Sequence, residues 1–232
     1  MNEFVIPAWD VPAVPVVGRD QTFPVRHIYC VGRNYAAHTR EMGRDPDREA
    51  PFFFTKAADM IVPGGGRIPY PPRTADMHHE VELVVAIGEG GRDIETARAR
   101  EHIFGYAIGV DLTRRDLQGM AKEMGRPWDT GKQFANAAPI GAIHPVSEVG
   151  HPTSGAITFA VNGVPRQAGD LGDMIWSIEE IIAELSTLYE LMPGDLIYTG
   201  TPAGVGALVL GDVGEGRIEG LGDLRIEIVG RA

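Results

Sequence analysis

The 232-residue chain has a single cysteine, Cys30. No disulfide can form within it, which suits a reducing compartment. It has no run of eighteen apolar residues, so no stretch reads as a membrane-spanning helix. Basic residues are scarce: 21 Lys and Arg stand against 32 Asp and Glu, a net charge of −11. That balance, with no basic stripe, excludes nucleic acid as a partner. There is no HExxH, and the glycines of TGTPAGVG (199–206) do not have the G-x-G-x-x-G spacing. Neither a zinc-protease helix nor a dinucleotide-binding turn is therefore expected. No repeat or low-complexity run occurs. The start, MNEFVIPAWDVP, lacks a basic region before a long apolar stretch, which argues against a secretory signal. Cytoplasm is the expected compartment, with a mitochondrial matrix after processing as the alternative.

What is present is enough apolar material for a core, 44% of residues, and 30 glycines spread between short β-forming runs. Pro7, Pro12, Pro15 and Pro24 predict an extended segment over 1–24, lying along a surface. Residues 25–232 read as one domain. Strands are expected at VRHIYCV (25–31), PFFFT (51–55), FGYAIGV (104–110), DLIYT and LRIEIV, and a short helix at 34–42 with Asn34 as its N-cap. Asn162-Gly163 between β-rich flanks predicts a two-residue hairpin. In WSIEEIIAELSTLYELMPG, Ser177 and Glu180 form a capping box, and an apolar stripe from Ile178 to Tyr189 predicts a helix stopped by Pro193-Gly194.

The run HHEVELVV, from His78 to Val85, opens with acids and continues as core. Residues two apart in a strand share a face, so Glu80 and Glu82 point the same way, with Cα atoms roughly 6.5–7 Å apart. Val84 and Ala86 extend that face; Val81, Leu83, Val85 and Ile87 line the other. Two like charges beside a core cost free energy unless positive charge joins them. Asp111 ends the apolar run 104–110. Three carboxylates at strand ends, without Cys or His at ligand spacing, suit a hard divalent cation such as Mg²⁺. A solvated strand face and a turn acid are the other reading. His78 and His79 fit loop or supporting positions better than zinc ligation.

His38 and Glu41 are three apart in a helix-like segment and share a face. Such a pair can take a proton from water, or be a surface ion pair. Arg115, Gln118 and Lys132 follow the third acid; they offer donors for a carboxylate or an oxyanion, or form a solvated loop. Thr201 offers a hydroxyl in what is otherwise a tight turn. Cys30, inside an apolar strand, reads as a buried core thiol.

Taken together, YCVGRNYAAHTREM, HHEVELVVAIG, GYAIGVDLTRRDLQ, GRPWDTGKQF, VNGVPRQ, MIWSIEEIIAELS and PGDLIYTGTPAGVG resemble the fumarylacetoacetate hydrolase family, in family order over 25–229. The likeness is closest to its small acylpyruvate hydrolase branch. It implies an α+β, β-rich fold, a mixed β-sandwich or roll with peripheral helices, and a homodimer. It implies Mg²⁺ or Mn²⁺ on Glu80, Glu82 and Asp111, and catalysis by His38, Glu41 and Lys132. Arg33, Tyr35, Arg115, Gln118 and Thr201 are implied substrate contacts. The implied substrate is a small 2-oxo acid, an acylpyruvate whose C–C bond is hydrolysed, fumarylpyruvate foremost. Oxaloacetate decarboxylation, and isomerase or decarboxylase action on unsaturated 2-oxo diacids, are alternatives. A non-catalytic binding module stabilised by a cation would explain the acids but not His38, Glu41 and Lys132.

Overall fold

The structure, a computed structural model, describes residues 4–37 and 49–231. It is strand-rich, with few helices at its edges, as the sequence predicts. A curled eight-stranded sheet runs in the order Phe53–Lys56, Ile28–Val31, Leu196–Tyr198, Val81–Ile87, Ile103–Val110, Ala138–Ile140 and Ile61–Pro63. The two-residue strand His144–Pro145 joins it beside Ile103–Val110. A five-stranded sheet contains Ala156–Val161, Val164–Asp170, Val213–Ile218, Gly222–Val229 and Gly66–Pro69.

Strand alternation explains why these sheets form layers. Val81, Leu83, Val85 and Ile87 enter one core with Phe159, Ile218 and Ile226 of the five-stranded sheet. Val84 and Ala86, from the opposite face, enter a second core with Cys30, Tyr198 and Ile140. Each fully buried Val, Leu or Ile contributes about 1.5–3 kcal/mol, so a strand apolar on both faces is held from both sides. The helix Ile178–Leu188 puts Ile178, Ile181, Ile182 and Leu185 into the first core. Its start is the expected capping box: Ser177 Oγ accepts from the Glu180 N–H at 3.3 Å, and Glu180 Oε2 from the Ser177 N–H at 3.0 Å. The Asn162-Gly163 turn also forms as expected, with φ of 51° and 76°, the positive pair that a two-residue hairpin requires.

Part of the proline-rich start, expected to lie along a surface, is built into the fold. Ala13–Pro15 and Thr22–Pro24 pair with each other, and Val14, Val16 and Phe23 cover the second core. Their apolar spacing wins over the surface position suggested by the prolines; 4–11 and the turn at 18–22 remain exposed. Asn34, expected as a helix N-cap, bonds to distant segments. Its side-chain oxygen accepts from the Trp176 N–H at 2.7 Å, and its amide donates to Trp176 O and Thr199 O at 3.0 and 2.9 Å. Through these bonds it clamps two distant segments. Most of the helix expected at 34–42 lies outside the described residues. Among the described residues, no helix is long and apolar enough to cross a membrane.

Candidate active site

Two strands bring the acids together. The Asp111 N–H donates to Glu80 O at 2.8 Å, and Glu82 stands opposite Gly109 in the antiparallel register. Glu80, Glu82 and Asp111 each offer an oxygen, and these oxygens lie within 4.8 Å of one another. All three residues are buried, Asp111 completely. The third wall is the turn after Leu196–Tyr198. The Gly200 N–H donates to Glu82 Oε2 at 2.8 Å, while the Thr199 and Thr201 hydroxyls donate to Leu83 O and Val81 O. Gly200 has φ +99°, and a Cβ there would stand 2.8 Å from the Asn34 Cβ, so glycine is required for this amide to reach Glu82.

Positive charge converges from three directions. The Lys132 ammonium donates to Glu80 Oε2 at 2.7 Å, Asp111 Oδ2 at 2.6 Å and Thr113 Oγ1 at 2.7 Å. Burial works against its charge, but Asp111 and Glu80 outweigh that and raise its pKa above the ordinary lysine value. Arg115 pairs with Glu80 Oε1 and donates to Gln118 Oε1 at 2.6 Å. Lys56 Nζ lies 2.8 Å from Asp111 Oδ1 and donates to Leu112 O and Lys132 O. Glu82 is different. Among the described residues no cation pairs with it. Burial first, then Asp111 and Glu80, push its carboxyl well up. A buried acid of this kind, facing two more, fits a divalent cation held by all three oxygens. His78 and His79 are not part of the cluster. His79 Nδ1 bonds Gln167 Oε1 at 2.8 Å, and His78 Nε2 meets Asp76 Oδ1 at 2.9 Å.

The other expected residues fall around this cluster. Gln118 is buried against Arg115 on the helix Arg115–Glu123. The Thr201 hydroxyl, besides donating to Val81 O, accepts from Gln167 Nε2 at 2.7 Å, so both its roles are engaged within the protein. Tyr35 is buried, and burial together with Glu82 raises its phenol pKa. Arg33 lines a cavity of about 510 Å³ that Lys132 also reaches, with Phe52, Phe54 and Trp128 as walls. His38 and Glu41 lie outside the described residues. Cys30 is fully buried in the second core, and burial pushes its thiol well up, as a core thiol requires.

Sequence reading missed three residues that shape the site: Lys56, Asn34 and Gln167. Gln167 accepts from the Val81 N–H at 3.1 Å and donates to Pro202 O at 2.8 Å, tying the glutamate strand to the threonine turn. A lysine closing the apolar run FFFTK was the one visible signal for Lys56. Asn34 and Gln167 bond across long sequence separations and carry no periodic pattern.

This geometry has close counterparts. The family model described as Fumarylacetoacetate (FAA) hydrolase C-terminal matches residues 27–229. A fumarylpyruvate hydrolase from Ralstonia sp is 48% identical over 189 residues, 81% of this chain and 98% of that protein. The mitochondrial oxaloacetate tautomerase FAHD1 of Rattus norvegicus is 38% identical over 203 residues, 88% of this chain and 91% of its own. A crystal structure of fumarylpyruvate hydrolase from Pseudomonas aeruginosa in complex with Mn²⁺ and pyruvate superposes with a TM-score of 0.97 at 50% identity, covering 99% of this chain and 100% of that one. The matched span and these identities show that the chain belongs to the fumarylacetoacetate hydrolase family.

Proposed function

We propose that this chain is a divalent-metal-dependent hydrolase that splits an acylpyruvate, fumarylpyruvate foremost, into a carboxylate and pyruvate. The observation that carries the reading is the Lys132 ammonium, which touches two acids of the buried trio and also lines an aromatic-walled cavity. The 48% identity to a fumarylpyruvate hydrolase supports the same substrate class. Mg²⁺ is the proposed ion and Mn²⁺ a substitute; a homodimer in the cytoplasm belongs to the same reading.

The substrate is R–CO–CH2–CO–COO⁻. A divalent cation held by Glu80, Glu82 and Asp111 supplies Lewis-acid stabilisation of electron density on a 2-oxo acid. His38, backed by Glu41, is assigned by family likeness to take a proton from water, whose oxygen adds to the acyl carbonyl. Lys132, with Arg115 and Gln118, offers N–H donors where negative charge develops. The bond between the acyl carbon and the CH2 then breaks. The acyl group leaves as a carboxylate, and the CH2 carbon takes a proton to complete pyruvate.

Oxaloacetate chemistry is the second reading, because the rat relative and one from Escherichia coli (strain K12), 40% identical, are oxaloacetate tautomerases. Tautomerisation needs only a proton moved beside the same 2-oxo group. Steady-state kcat/KM for fumarylpyruvate, acetylpyruvate and oxaloacetate, with and without Mg²⁺, separates the two. Fumarylpyruvate is expected to lead; oxaloacetate in front reverses the assignment.

A further inference from the structure

We infer that Arg126 receives a second carboxylate at the far end of the acyl group, so that this enzyme selects acylpyruvates that are dianionic. The inference rests on the acylpyruvate reading and extends it to the acyl half of the substrate. Although the chain carries a net charge of −11, Arg33, Arg126 and Lys132 all line the one cavity. Among its described lining residues the only acid is Asp129, which accepts from Gln133 Nε2 at 2.9 Å. Lys132 is committed to Glu80 and Asp111. Arg33 lies with its guanidinium 5.2 Å from the centre of the Phe52 ring. Arg126 is exposed, and among the described residues no carboxylate pairs with it. A guanidinium forms a charge-assisted, two-pronged contact with a carboxylate, and here nothing else in the described protein claims it.

The walls between the two ends match such a chain. Phe52 meets Trp128 edge-on at 5.1 Å, and Phe54 stands 5.9 Å from the same indole. A flat, conjugated acyl chain can lie along these aromatic walls, and a trans double bond holds its terminal carboxylate at a fixed reach. With the pyruvoyl half at the acid trio, the acyl half runs past Phe54 and Trp128 toward Arg126. Pockets built to pair a charged group discriminate strongly against analogues that lack it.

The test compares wild type, Arg126→Leu and Arg126→Lys in saturating Mg²⁺. The substrates are fumarylpyruvate and its monoanionic analogue with a methyl group in place of the distal carboxylate. The expected result is a wild-type preference for fumarylpyruvate. Arg126→Leu should lose about tenfold to a hundredfold in kcat/KM on fumarylpyruvate, mainly through KM, the range one charge-assisted contact carries. The monoanionic analogue should be cleaved as before, and Arg126→Lys should recover part of the loss. Equal losses on both substrates, or no loss on either, overturn the subsite. Wild type that cleaves both compounds equally well overturns the subsite alone. Wild type that cleaves neither overturns the hydrolase reading, and the subsite falls with it.

Discussion

Lys56 Nζ lies 2.8 Å from Asp111 Oδ1, with both side chains essentially excluded from solvent. The same ammonium donates to Lys132 O at 2.5 Å and Leu112 O at 3.1 Å. One buried cation therefore orients a metal-ligand candidate and anchors the end of the short helix Asp129–Lys132 that presents Lys132. Breaking a buried pair from one side leaves an uncompensated charge and costs about 3–5 kcal/mol. Lys56→Met should lower stability by that order in urea denaturation and also weaken Mn²⁺ binding. Wild-type values for both would show that Asp111 is held by something else.

Glu82 should behave in the opposite way. Its charge is buried beside two other acids and pairs with no cation among the described residues. Glu82→Gln removes a carboxylate charge that is unfavourable without a cation, while the amide oxygen can still accept from the Gly200 N–H. The cation-free variant should melt at or above the wild-type temperature, and the rise in Tm on adding Mg²⁺ should disappear. A variant that is less stable without cation and still gains from Mg²⁺ would assign Glu82 a purely structural role.

Much of this site was legible before any coordinates, for a specific reason. Period-two spacing put Glu80 and Glu82 on one face, and the end of the apolar run at 104–110 placed Asp111 at a strand end. Each is a local pattern with a single physical meaning. The cluster around them is not local. Lys56 reaches Leu112 across 56 residues and Asn34 reaches Thr199 across 165. Such contacts depend on strand order, which periodicity does not encode. The same limit explains the N-terminal hairpin: Val14 and Phe23 look like isolated apolar residues between prolines until the sheet face they cover is known.

Asn34 gives a test of that non-local layer. Asn34→Ala leaves the Trp176 N–H and the Thr199 carbonyl without their partner inside the fold. An unsatisfied buried group costs about 1–3 kcal/mol, so the variant should lose at least that much in denaturant unfolding. It should also lose activity, since Thr199 precedes the Gly200 amide that holds Glu82. Unchanged stability would mean that water replaces the amide at no cost.

Asp116 sets a pH dependence. Burial pushes its carboxyl up, but hydrogen bonds from the Thr74 hydroxyl at 2.6 Å and from the Ala75 and Leu117 N–H groups outweigh this and hold it below the usual aspartate value. A depressed carboxyl stabilises the fold above its unfolded-state pKa of about 4, and the contribution is lost as pH falls through the folded value. Asp116→Asn, which keeps an acceptor but removes a negative charge from the first turn of the helix Arg115–Glu123, should therefore cost about 0.3–1 kcal/mol near pH 7. The gap from wild type should close toward pH 3. A gap that stays constant from pH 7 to pH 3 would show that the charge plays no part.

The central claim is that Glu80, Glu82 and Asp111 hold one divalent ion on which turnover depends. The most direct measurement is fumarylpyruvate cleavage by chelator-stripped protein, before and after Mn²⁺ is restored, with Glu80→Ala run alongside. The account predicts negligible turnover when stripped, full recovery with Mn²⁺ in wild type, and no recovery in Glu80→Ala. Stripped protein cleaving at its original rate, or Glu80→Ala recovering fully, would contradict it.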